Sequence, residues 1–68
     1  MDEKQFELIM QRIIAGIRKA GYDPYTQLTG YLETGNAAFI TRTDGARDLI
    51  RSFSSEQIKR YIDTRLHD

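Results

Sequence analysis

Three arginines carry the most specific chemistry in these 68 residues. Arg47 and Arg51 are four apart, on one face of any helix that holds them, with Arg42 just upstream. Like charges at that spacing repel by about 0.2–0.5 kcal/mol unless neighbours relieve them. Asp44 and Asp48 are interleaved with them and offer one form of relief, an exposed ladder of ion pairs. The alternative is a surface that grips carboxylates or phosphorylated side chains with the planar donor fork of guanidinium. The same two aspartates could in principle share a cation, but pairing with the arginines explains them better.

Catalytic chemistry finds little material. Nucleophilic catalysis needs an activated side chain beside a base, yet cysteine is absent and the one histidine, His67, is next to last. Gly30-Tyr31-Leu32-Glu33-Thr34-Gly35 has the glycine spacing of a phosphate loop. Asn36-Ala37 follows, where Lys and Ser or Thr would hold phosphate and magnesium. The sequence therefore reads as a non-enzyme, with no catalytic, cofactor or metal site.

The elements that must position the arginines come next. At 68 residues there is room for one domain, spanning 1–68. A chain so short buries only about 60% of the surface its unfolded form exposes. With no disulfide or metal to help, good helix packing, a second copy of the chain or both must supply the support, and a homodimer is expected. Ten basic and ten acidic residues cancel, which argues against nucleic acid as a partner, since polyphosphate binding draws on surplus Lys and Arg. No apolar run approaches the roughly 20 residues of a membrane span. Met1-Asp2-Glu3-Lys4-Gln5 lacks the basic start and apolar stretch of a signal peptide, so the cytoplasm is the expected compartment.

Phe6, Ile9, Met10, Ile13, Ile14 and Ile17 recur at three- and four-residue steps, which predicts a helix over about 3–20. Asp2, Glu3 and Glu7 suit its positive end, and Arg18 and Lys19 its negative end. Gly21 supplies a left-handed terminating residue. Asp23-Pro24 opens a second helix over about 24–34, which carries Tyr25, Leu28, Tyr31 and Leu32 and stops at Gly35. Gly30 inside it should cost about 0.8–1 kcal/mol relative to alanine. Close approach by another helix is the expected reason, against a kink or a functional contact. Residues 36–42 read as a link in which Phe39 and Ile40 plug the core. Thr43 or Asp44 could cap a third helix over about 44–53, with Ala46, Leu49, Ile50 and Phe53 inward. Ser54 to Gln57 fits a capping box opening a fourth helix over about 55–66, with Ile58, Tyr61, Ile62 and Leu66 inward. The fold class is all-α, a compact bundle of about four short helices.

The run Ala20-Gly-Tyr-Asp-Pro-Tyr-Thr-Gln-Leu-Thr-Gly-Tyr-Leu-Glu-Thr-Gly35 resembles the K-G-Y-N-P-x-x-Q-I-V-G-Y-x-x-S-G signature of the IreB family. Gly21, Tyr22, Pro24, Gln27, Gly30, Tyr31 and Gly35 carry the match. Ala38-Phe39-Ile40-Thr41-Arg42 is similar to the family's A-Y-I-P-R, and Ala46-Arg47-Asp48-Leu49-Ile50-Arg51 to its A-R-x-x-I-R. The likeness covers about Ile13 to Tyr61. It implies a small cytoplasmic helical dimer of Gram-positive bacteria, a substrate of transmembrane Ser/Thr kinases with PASTA repeats that regulates peptidoglycan synthesis. It also implies that Arg42, Arg47 and Arg51 matter for regulation. The chain departs from the family in having no Ser or Thr before Thr26, where members carry phosphorylatable threonines. Asn36-Ala37 replaces the family's D-P, and Thr41 replaces its second proline.

The resulting expectation is a dimeric regulator whose Arg42, Arg47 and Arg51 contact a protein with an acidic or phosphorylated surface, with a Ser/Thr kinase among the implied partners. Alanine at Arg47 and Arg51 should then cost under about 0.5 kcal/mol of stability. The competing readings are a DNA binder using the third and fourth helices as a helix-turn-helix, and a structural subunit of a larger assembly.

Overall fold

The apolar stripe from Phe6 to Ile17 becomes α1, Glu3–Lys19, in a computed structural model that describes residues 3–66. Glu3 sits in its first turn and Arg18 and Lys19 in its last, as the helix dipole favours. Asp2 and His67 lie outside the described residues. Gly21, at φ +87°, closes α1: its N–H donates to the Arg18 carbonyl at 2.9 Å and that of Tyr22 to the Ile17 carbonyl at 3.1 Å. This paired closure is the Schellman arrangement.

The second helix, α2, is Pro24–Thr34. One Asp23 carboxylate oxygen accepts from both the amide and the hydroxyl of Thr26, each at 2.9 Å. Those bonds, the amide first, hold the Asp23 carboxyl below the usual aspartate range. Gly35 ends the helix at φ +69°, its N–H donating to the Tyr31 carbonyl at 2.7 Å. A side chain at Gly30 would meet the Phe39 ring at 3.0 Å. The expected close approach is thus made by an aromatic ring from the following link, not by another helix.

That link contains a short 3-10 turn, Ala37–Phe39. Ile40 enters the core completely, but Phe39 remains 46% exposed. Its ring covers the Gly30 face of α2 from outside, so only Ile40 plugs the interior.

The third helix is shorter than its apolar pattern suggests. A second 3-10 turn, Thr43–Gly45, precedes α3, Ala46–Ile50. Asp44 and Gly45 both take left-handed backbone, at φ 54° and 75°, which no helix can incorporate. Neither Thr43 nor Asp44 therefore caps α3; Gly45 does, without a side-chain bond. Beyond Ile50 the chain turns again, and Phe53 reaches the core from that turn. The fourth helix, α4, is Ser55–Arg65 and opens with a complete capping box. Ser54 Oγ accepts from the Gln57 amide at 3.2 Å, and Gln57 Oε1 accepts from the Ser54 amide at 3.1 Å.

Among the described residues the elements are all helical. The α1 helix packs against α3 and the Thr43–Gly45 turn, while α2 packs against α4. Met10, Ile13, Ile17, Leu28, Ile40, Ile50 and Ile58 are fully buried between them. Phe6 meets Phe53 and Tyr61 edge-on, with ring centres 4.7 and 6.0 Å away, a geometry that suits the aromatic quadrupole.

Candidate functional site

Arg42, Arg47 and Arg51 come together around one shallow hollow of about 430 Å³, whose remaining walls are Gly45 and Asp48. They reach it from different elements. Arg42 precedes the Thr43–Gly45 turn, Arg47 lies within α3, and Arg51 caps its end.

The segment carrying Arg42 is fixed on several sides. The Thr41 amide donates to Gln27 Oε1 of α2 at 3.0 Å. Arg47 Nε donates to the neighbouring Ile40 carbonyl at 2.9 Å. The Thr41 and Thr43 hydroxyls lie 3.0 Å apart, and the Thr43 amide donates to Thr41 Oγ1 at 3.2 Å. From below, α1 approaches so closely that a Cβ at Gly16 would stand 2.7 Å from the Thr43 carbonyl oxygen. That is well inside contact distance, so only glycine fits there. Three helices thus converge on one four-residue stretch, 40–43.

The expected ion-pair ladder does not form. Asp44 turns instead to Lys19 on α1, at 3.7 Å. The cause is local: α3 begins only at Ala46, so Asp44 never shares a helix face with Asp48. Among the described residues, Arg42, Arg51 and Asp48 take part in no ion pair. Arg47, expected to be a plain surface residue, is half-buried and structural through its bond to Ile40. Its removal should therefore cost more than the small surface figure.

The other motif residues are spread through the scaffold. Gly21 and Gly35 end helices, and Pro24 is the buried first residue of α2. Tyr31 is half-buried against the core. Gln27 tethers the arginine segment, and Gly30 receives the Phe39 ring. Tyr22 is 56% exposed and does not line the hollow. Sequence reasoning missed Gly16, the Thr41–Thr43 clasp and the left-handed pair at 44–45. Only the last left a local signal, the Asp-Gly dipeptide typical of turns.

A second hollow, of about 360 Å³, lies between α1 and α4, where Glu3, Glu7, Arg60 and Arg65 meet Phe6 and Tyr61. Arg65 and Glu7 pair across it at 2.9 Å. Burial, then the Glu7 charge, pushes the Tyr61 hydroxyl above its usual range. Two carboxylates and two guanidinium groups balance in its lining.

Among the described residues, no helix is long and apolar enough to cross a membrane, and no cluster of three or more His, Cys, Asp or Glu could hold a metal ion. The α3 helix has five residues, about 7.5 Å at 1.5 Å per residue, short for the supporting helix of a helix-turn-helix. A family model described as the IreB regulatory phosphoprotein matches residues 1–63. With the match covering all but the last five of its 68 residues, this chain belongs to the IreB family of regulatory phosphoproteins.

Proposed function

We propose that the chain is a non-catalytic regulator that binds another protein through Arg42, Arg47 and Arg51. One observation carries the reading: three arginines line one hollow in which, among the described residues, Asp48 is the only acidic one. In a chain with ten acidic residues, neither Arg42 nor Arg51 takes one as a partner among the described residues. A fold seeking only stability would pair such charges or disperse them. Family membership supports the wider role implied by the resemblance, a cytoplasmic homodimer acting in cell-envelope control downstream of PASTA-type Ser/Thr kinases. The small core supports the dimer, since chains of this length commonly gain stability from a partner.

The test uses Arg42→Ala/Arg51→Ala, which leaves the structural Arg47 in place. Helical content and melting should stay near those of the native chain, because substitutions at exposed sites typically cost under about 0.5 kcal/mol. Capture of partner proteins from native lysate should fall sharply. Unchanged capture would refute the arginine reading. Light scattering on the eluting peak tests the dimer, and a monomeric mass at micromolar concentration would remove it.

A further inference from the structure

We infer that the arginine hollow recognises a phosphorylated serine or threonine side chain of a protein, in preference to a run of carboxylates. This rests on the reading that the hollow binds a protein partner and names the group it takes. Charge is the first argument. Three guanidinium groups against the one Asp48 carboxylate leave two uncompensated positive charges in the lining. A phosphomonoester carries about −1.5 to −2 at neutral pH and presents three strong acceptor oxygens. A single carboxylate would leave half of that charge unmatched.

Shape is the second. An acidic stretch needs a track of positive charge, but here the three arginines line a single hollow. The track is interrupted by Asp48 on the rim and by Asp44, already held by Lys19. The same carboxylates disfavour a nucleic-acid backbone, whose charge repeats along its length.

Preorganisation is the third. Arg47 is fixed through Nε by the Ile40 carbonyl, which leaves its two terminal nitrogens to donate as a pair. The Gln27 bond to Thr41 and the close contact at Gly16 fix the stretch that carries Arg42. Less freedom is lost on binding when the donors are already placed. Gly45 adds no side chain to the wall, leaving room for a tetrahedral group.

The experiment titrates the full chain with three fluorescein-labelled alanine–glycine hexapeptides that differ only in a central phosphoserine, glutamate or serine. Inorganic phosphate and a labelled 12-base-pair DNA duplex are measured alongside. The phosphoserine peptide should bind about tenfold more tightly than the glutamate peptide, the gain expected from added charge-assisted bonds. The serine peptide should show no binding. Arg42→Lys/Arg51→Lys keeps the charge but loses the fork, and should erase most of the phosphoserine preference while melting like the native chain.

Equal binding of the phosphoserine and glutamate peptides would overturn this assignment yet leave the arginine-mediated reading standing. Binding of neither, together with unchanged partner capture by Arg42→Ala/Arg51→Ala, would remove both. Inorganic phosphate or the duplex binding as tightly as the phosphopeptide would also overturn it, in favour of a free anion or a nucleic acid.

Discussion

Two hollows of this molecule are of similar size, about 360 and 430 Å³, but they differ in how their charges are settled. Between α1 and α4, two glutamates face two arginines, Glu7 and Arg65 join at 2.9 Å, and the floor is an aromatic cluster. That region is complete in itself. Around α3, three arginines face one aspartate, and polar tethers and a close backbone contact are added to the buried Ile40, Ala46 and Ile50. The difference shows how a neutral protein can still own a locally positive hollow: charge is set by which residues line it, three arginines and one aspartate. Net charge describes the whole chain; recognition depends on where the pairs are not made.

The largest expected effect lies on the apolar side. Phe6→Ala should lower unfolding stability by up to about 3 kcal/mol, the low end for a core phenylalanine, because the partly buried ring meets both Phe53 and Tyr61. Urea denaturation would read it, and a loss under about 1 kcal/mol would mean the cluster does not support that hollow. Next comes Gly16→Val, expected to cost about 1–3 kcal/mol through overpacking. It should also displace Thr43 and with it Arg42, so phosphopeptide affinity should fall in protein that remains folded. Arg47→Ala should cost about 1 kcal/mol, the net worth of one hydrogen bond, against under about 0.5 kcal/mol for Arg51→Ala. Equal losses would erase the distinction between the anchored arginine and the free one. Glu7→Gln should cost at most about 1 kcal/mol, as exposed ion pairs do, and should leave phosphopeptide binding unchanged. A shift in that binding would show that the two hollows communicate.

The smallest signal is in acid. The Thr26 amide, then its hydroxyl, depresses the Asp23 carboxyl. Its contribution is therefore fully present above the unfolded value of about 3.9 and is lost as pH falls through the lower folded value. Melting curves of native protein and Asp23→Ala should differ at neutral pH and converge only in strongly acidic solution. Curves that run parallel throughout would show that the bond to Thr26 does not depend on ionisation.

What could be read from the sequence followed the range of each interaction. The boundaries of α2, the glycine ends at Gly21 and Gly35 and the Ser54–Gln57 box depend on residues within five of one another, so spacing revealed them. The α3 boundary failed because the apolar spacing of Ala46, Leu49, Ile50 and Phe53 satisfies a helix even though Phe53 reaches the core from a turn. Arg42, Arg47 and Arg51 were recognisable as a group, but the groups that place them were not. Gln27 reaches Thr41 across 14 positions, and Gly16 meets Thr43 across the fold. Such contacts leave no periodic trace. The aspartates misled for a related reason: Asp44 looked like a partner for arginine only while residue 44 was assumed helical.

The bare backbone at Gly16 has a mechanical consequence. It makes a keyway in α1 into which the Thr43 carbonyl seats, and so it fixes the axial register of that helix. Sliding α1 by one turn, about 5.4 Å, would bring Arg12 or Ala20 beneath the carbonyl, and both carry the carbon that the gap excludes. The longest helix is thereby indexed against the loop that bears Arg42, as a bolt is indexed by its slot.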